Sequence, residues 1–271
     1  MADQRVEVRQ DGAVAVVELA RADKLNAMDG EMFAAIGDTF RRVGRNPSVR
    51  AIVLAAQGRH FTAGLDLEYA SRQFPPSADS GRAAEARLRH IEWLQDAFNA
   101  VEQARVPVIA AVHGACVGAG VDLIAACDIR VATQDAFFQI AEVDVAITAD
   151  LGTLQRLAHL IPHGILRELT YTGRQLGAEE AERHGLVNGL AADRDAALEA
   201  AMSLARAIAA KSPLAIAGAK RSLNYSRGRP IEEGLRDVAL WNAGTLVSAD
   251  LGKAVQARLA KSEADFGPLD G

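Results

Sequence analysis

Apolar and polar positions follow two different rhythms along this chain. Val6 to Val8 and Val14 to Leu19 are short apolar runs on either side of Asp11-Gly12, which predicts two strands around a turn. From Gly30 to Val43 the apolar residues Met32, Phe33, Ile36 and Phe40 recur at helical spacing, and Pro47 closes the region. Ala51 to Ala55, Val108 to Val112 and Ile129 to Ala132 are continuous apolar runs, the mark of strands covered on both faces. Between the first two of these, Arg82 to Arg105 carries Leu88, Ile91, Trp93, Leu94, Phe98 and Val101, a long amphipathic helix. The second half changes character. Ala196 to Ala210, Pro213 to Tyr225, Ile231 to Val247 and Leu251 to Lys261 all predict helices, punctuated by Pro213, Pro230 and Gly252. The pattern therefore predicts an α/β core over residues 1–195 and a helical C-terminal region over residues 196–271. Phe74 to Gly81, with two prolines and two serines, predicts a flexible loop.

Composition narrows the function. Of 271 residues, 49% are hydrophobic and 24% charged, enough apolar material for a core and too much for a disordered chain. The formal net charge of −5 argues against nucleic acid as a partner, because phosphate neutralisation calls for a basic surface. No apolar run reaches the roughly 18 residues of a membrane span, so no membrane partner is expected. Cys116 and Cys127 are the only cysteines; two thiols without a CxxC or clustered histidines predict neither a disulfide framework nor a metal site. Met1 to Arg9 has no apolar core of a signal peptide, and Pro268 to Gly271 is not a peroxisomal tripeptide. A reduced, cytoplasmic location is the resulting expectation.

Candidate chemistry begins with two turns of small residues. The first follows the strand ending at Ala55 and reads Gly58-Arg59-His60-Phe61-Thr62-Ala63-Gly64-Leu65-Asp66-Leu67. The second follows Val112 and contains Gly118-Ala119-Gly120 just before an apolar helix at Val121 to Ala126. A helix start offers unpaired N–H groups, and small side chains let a ligand approach them. Two such turns lying side by side would aim one N–H each at a single oxygen. Tight packing alone accounts for the glycines equally well. Gly114, Gly118 and Gly120 do not match a dinucleotide-binding fingerprint, and no phosphate-binding GK[ST] follows.

Three acids lie beyond the second turn. Asp122, Glu142 and Asp150 sit in mostly apolar company, where a carboxylate is pushed toward neutrality and becomes a usable acid or base. Singly, each has a plainer reading: Asp122 or Asp150 as a helix cap, Glu142 as a surface acid.

These segments resemble the enoyl-CoA hydratase/isomerase (crotonase) superfamily. The resemblance is carried by Lys24-Leu25-Asn26-Ala27-Met28, by Phe61 to Leu67, and by Ile109 to Gly114 through Cys127 to Arg130. It runs from about residue 5 into the C-terminal helices. Asp135 to Gln139, Glu142 to Val145 and Ala149 to Leu157 look most like the Δ3,5-Δ2,4-dienoyl-CoA isomerases of that superfamily. The resemblance implies a spiral of ββα units whose C-terminal helices build homotrimers, usually paired as homohexamers. It implies an oxyanion hole from the backbone N–H groups of Leu65 and Ala119. Many relatives have glycine at the position of Ala119. Coenzyme A is implied as part of the substrate, with no bound cofactor or metal. Its contacts would come from Lys24, Leu25, Ala63, Gly64, Leu65, Asp66, Leu67 and Ala119, with Arg21 a weaker candidate for its phosphates.

Under this resemblance the three acids become catalytic: Asp122, Glu142 and Asp150. Moving two double bonds of an acyl-CoA from 3,5 to 2,4, as in fatty-acid β-oxidation, removes a proton from C2 and delivers one to C6. The dienolate between these steps carries its charge largely on the thioester oxygen. C2 and C6 are too far apart for one short side chain, so two acids are required. Glu142 is expected at C2, where its family counterpart works, and Asp150 at C6; the reverse order stays open. Asp122 would orient or tune the pair. Two alternatives remain: an enoyl-CoA hydratase needing only Asp122 and Glu142, and a non-catalytic acyl-CoA-binding protein. His113, the two cysteines, Trp93 and Trp241 read as packing residues, and Asp144 as a bystander.

Overall fold

The computed structural model describes residues 5–73 and 79–269. Residues 74–78 of the predicted loop, and the outermost residues of both termini, lie outside the described residues. The strands are β1 (Val6–Asp11), β2 (Val14–Leu19), β3 (Ala51–Ala56), β4 (Val108–Val112), β5 (Ala115–Val117), β6 (Ile129–Thr133), β7 (Phe137–Gln139), β8 (Gln175–Gly177) and β9 (Gly189–Ala191). The α-helices are α1 (Gly30–Gly44), α2 (Leu67–Gln73), α3 (Ser80–Glu102), α4 (Ala119–Ala125), α5 (Thr153–Leu157), α6 (His163–Thr172), α7 (Ala178–Arg183), α8 (Arg194–Ala209), α9 (Pro213–Ser226), α10 (Ile231–Thr245) and α11 (Ala249–Ala260). Short 3₁₀ turns fall at Ala22–Lys24 and Glu142–Val145.

Among the described residues the main sheet has six strands in the order β1-β2-β3-β4-β6-β9. Only the β1–β2 hairpin is antiparallel; β2 pairs with β3 in parallel register from Val14 opposite Ala51 to Leu19 opposite Ala56. A second sheet, β5-β7-β8, stands beside it. The continuous apolar runs become β3 and β4 because both faces are covered: every residue of each is buried. On one face α1 buries Met32, Phe33, Ile36 and Phe40 together with Phe98 and Val101 of α3. Asp29 starts α1 by accepting the Met32 N–H at 2.9 Å, and Asp79 starts α3 by accepting the Arg82 N–H at 3.0 Å. Ser80 and Gly81, expected in the loop, are therefore helical.

The other face is covered by α8, whose Ala201, Met202, Ala205 and Ala209 pack on Val14, Val16, Ala51, Val53 and Ile109. Alanines on this helix let it lie close on the sheet. The first helix of the region expected from residue 196 onward thus completes the core. By contrast, α9, α10 and α11 supply no residue to either buried apolar cluster among the described residues. They leave Leu223, Ile231, Leu235, Leu240 and Leu259 exposed, as is Val247 between α10 and α11. Two ion pairs tie α9 to the core: Lys220 Nζ to Asp128 at 2.7 Å, and Arg227 to Glu102.

Both cysteines are buried free thiols, and His113 is buried with Nε2 3.0 Å from the Gly58 carbonyl, as the packing readings expected. Trp241 packs under the Arg221 guanidinium between α9 and α10. Trp93, expected as a core or interface anchor, is not in the core of the single chain. It is 43% exposed and stacks on His90 at 5.7 Å, because it lies on the outer side of α3.

Candidate active site

The two turns of small residues meet. Thr62 and Cys116 form a parallel bridge, with Thr62 N donating to Ala115 O at 3.0 Å and Val117 N to Thr62 O at 3.2 Å. Gly64 lies so close to the second turn that a Cβ there would stand 2.6 Å from the Val117 carbonyl and 3.6 Å from the Ala119 nitrogen. Its φ of +87° adds a conformation that side chains resist. A third strand of chain is stitched to this pair: Ala63 N donates to Leu25 O, Met28 N to Gly64 O, and Asp66 N to Met28 O. Lys24, Leu25, Ala63, Gly64, Leu65, Asp66, Leu67 and Ala119 therefore share one region. Lys24, Leu25, Ala63 and Leu67 are exposed there, and Leu65 and Asp66 are half-buried.

Two amides near this junction donate to no acceptor among the described residues. Among the described residues, Leu65 N–H donates to no acceptor, although its neighbours Gly64 and Asp66 both do. Ala119 opens α4, and a first-turn N–H has no acceptor within its helix. The alanine at this position is buried, and its amide is retained.

The acids converge on the same place. Asp122, in α4, is 1% exposed. Its Oδ1 accepts the backbone N–H of Thr153, the first residue of α5, at 2.6 Å. Asp122 is thus a helix cap, but for a distant helix rather than its own; Gly152, at the N-cap position, offers no side chain. Glu142 hangs over the second turn, its Oε1 3.4 Å from where a Cβ on Gly118 would stand, and its buried Oε2 has no hydrogen-bond partner. Asp150 is half-buried, two residues before Gly152.

Burial pushes Asp122 up to about 7; hydrogen bonding from Thr153 opposes this, and the charges of Glu142 and Asp150 add to it. Glu142 is raised mainly by burial, and by the charge of Asp150 as well. Asp150 is raised by burial. The charges of Glu142 and Asp150 therefore reach Asp122, and the charge of Asp150 reaches Glu142, within one partly dry region.

Several expected contacts take another form. Arg21 is not available as a phosphate ligand: its Nη1 donates to Asp66 Oδ2 and the Ala27 carbonyl, and its Nη2 pairs with Asp29 at 3.3 Å. Three neighbouring acceptors already engage this half-buried cation. Asp66 likewise uses its carboxylate on Arg21 and on the Glu68 and Tyr69 amides that start α2. Asp144 accepts from Gln139 at 3.3 Å and takes no part in the triplet. Other residues of the site escape sequence reasoning. Asn26, fully buried, donates to the Gln57 and His60 carbonyls and accepts from Arg21 N, tying the stitched strands together. Thr62 donates to Asn26 O and accepts from Gly64 N. Only a polar residue inside an apolar motif could have signalled either.

Paired small-residue turns and buried acids on an α/β fold define the candidate site. The family model for enoyl-CoA hydratase/isomerase matches residues 9–267, and the chain belongs to that family. It is 43% identical over 250 residues to the mitochondrial Delta(3,5)-Delta(2,4)-dienoyl-CoA isomerase of Mus musculus, covering 91% of this chain and 76% of that one. It is 42% identical over 262 residues to the peroxisomal Delta(3,5)-Delta(2,4)-dienoyl-CoA isomerase of Arabidopsis thaliana, covering 96% and 94%. Among solved structures, an enoyl-CoA hydratase from Bacillus anthracis superposes with a TM-score of 0.88 at 27% identity, covering 97% of this chain and 99% of that one. The α/β crotonase-type architecture with C-terminal helices follows. The cytoplasmic expectation is overturned, since these isomerase relatives are named mitochondrial and peroxisomal. Compartment is set by receptor-read addresses, which composition and cysteine usage do not report.

Proposed function

We propose that this chain is a Δ3,5-Δ2,4-dienoyl-CoA isomerase acting in fatty-acid β-oxidation. The observation that carries the reading is the third acid. The charge of Asp150 raises both Glu142 and Asp122, and Asp150 stands two residues before the turn at Gly152. A hydratase needs only the other two.

In this reading the thioester oxygen sits between the N–H groups of Leu65 and Ala119, which hold the negative charge of the dienolate. Glu142 removes the proton from C2. Asp150 delivers a proton to C6. Raised pKa values suit both tasks: they make Glu142 a stronger base when ionised and let Asp150 keep a proton to give. Asp122 tunes the pair and fixes the start of α5. Coenzyme A is part of the substrate, lying along Lys24, Leu25 and Ala63 to Leu67, with Gly64 and Asp66 contributing backbone. No bound cofactor enters the reaction. The exposed apolar residues of α10 and α11 support assembly through residues 196–271 into a homotrimer or a dimer of trimers.

The test is the ultraviolet signal of conjugated 2,4-dienoyl-CoA formed from 3,5-dienoyl-CoA. The purified chain is expected to produce it, and Asp150→Asn to lose most of it. Faster hydration of crotonyl-CoA than dienoyl isomerisation, or normal turnover by Asp150→Asn, overturns the proposal.

A further inference from the structure

Hydrogen bonds from side chains hold three of the four residues Asp150 to Thr153. Gln95 of α3 donates Nε2 to the Asp150 carbonyl at 2.6 Å. Arg156 of α5 donates Nη1 to the Leu151 carbonyl at 3.2 Å. The same guanidinium lies against the bare backbone of Gly152, where a Cβ would stand 1.8 Å from Nη1. With a φ of +125°, Gly152 holds a turn that other residues adopt only under strain. The Thr153 N–H is held by Asp122 at 2.6 Å.

Neither Gln95 nor Arg156 belongs to the acid triplet. Both line a polar cavity of about 430 Å³ that Asp150 itself borders, together with Asn99, Glu102 and His159. Arg156 is only 8% exposed, and its Nη2 donates to Asn99 Oδ1 at 2.7 Å and Glu102 Oε2 at 3.1 Å. Glu102 in turn pairs with Arg227, just past the end of α9. A guanidinium with this many fixed partners has one orientation, so the carbonyl it holds has one position as well.

We infer that Gln95 and Arg156 are positioning residues for the C6 proton transfer: by holding the Asp150 and Leu151 carbonyls, they aim the Asp150 carboxyl group into the site. Through Glu102 and Arg227 the same grip is linked to the end of α9. This inference rests on the isomerase reading above. Its consequence is specific to one half of the reaction, because Glu142 is held by a different turn. Loosening Asp150 leaves proton removal at C2 intact and slows proton delivery at C6. The dienolate then returns to substrate more often.

The experiment uses the full chain in deuterium oxide, comparing wild type with Gln95→Met and Arg156→Lys. Gln95→Met keeps length and helix preference and removes the donor; Arg156→Lys keeps charge and removes the fork. Two rates are measured on 3,5-dienoyl-CoA: formation of the conjugated product, and deuterium uptake at C2 of unconverted substrate. In Gln95→Met, kcat is expected to fall roughly fivefold to tenfold, the scale of one hydrogen bond, with KM within about twofold. The ratio of C2 exchange to isomerisation should rise by the same factor. Arg156→Lys should shift the ratio in the same direction. An unchanged ratio in both variants, whether the two rates fall together or neither falls, overturns the inference while leaving the isomerase reading intact. Wild type that forms no conjugated product overturns both.

Discussion

Replacing Asp122 with asparagine separates its two roles, because an amide oxygen still accepts the Thr153 N–H while the titrating charge is gone. The folded chain holds the Asp122 proton up to about pH 7, against an ordinary value of 3.8. Between those values the native state binds more protons than the unfolded state, so this group's contribution to stability falls as pH rises. At about 1.4 kcal/mol per pH unit, the loss between its ordinary value of 3.8 and its folded value of about 7 is on the order of 4 kcal/mol. The asparagine variant lacks that loss. Its stability relative to wild type should therefore improve from acid to alkaline pH by up to that amount. Any fixed cost of the unpaired amide NH₂ shifts all pH values equally and cancels. The assay is urea unfolding of both proteins at a series of pH values from 4 to 8, at one protein concentration so that assembly is held constant. Parallel stability curves would mean that Asp122 ionises freely in the folded state, and would refute the picture of a dry acid cluster.

Glu142→Gln and Asp150→Asn should each lower isomerase turnover by about 10² or more, the usual scale of a lost general acid or base, with unchanged circular dichroism. Turnover in wild type should be bell-shaped in pH, rising as Glu142 ionises and falling as Asp150 loses its proton; burial moves both limbs upward. In Asp122→Asn both limbs should stay nearly in place, since Asp122 still holds its proton while Glu142 and Asp150 titrate; limbs that move to lower pH would show that Asp122 ionises before them. Lys220→Met should cost about 1.5–3 kcal/mol in unfolding free energy, because Asp128 keeps the Val108 N–H but loses its cation, and adding Asp128→Asn should recover part of it. A double variant no more stable than Lys220→Met would count against a buried ion pair there. Gly152→Ala should slow the enzyme, because a Cβ would collide with Arg156 at a φ of +125°; normal kinetics would show that the turn can relax.

Much of the fold was legible in local pattern. Runs such as Ala51 to Ala55 and Val108 to Val112 have one stable fate, burial in a covered parallel sheet, and the Met32, Phe33, Ile36, Phe40 spacing has one stable face. Three-residue strands such as β5, β7 and β8 were not legible, because so few residues carry no period and form only against a partner. The helical C-terminal region was legible as helix. That α8 closes the sheet while α9 to α11 leave apolar residues outside was not, since alanine-rich helices look alike until something packs on them.

Residue type and order alone selected the three acids and the two small-residue turns, because charge inside apolar sequence and glycine after a strand are local facts. What the acids do for one another was decided only by the tertiary structure. Asp122 meets Thr153 across 31 positions of chain, and Gln95 reaches the Asp150 carbonyl across 55. Sequence distance says nothing about which carbonyl a side chain will find. Hydrogen bonds act over a few ångströms, and only the packed sheets and helices bring those atoms within range.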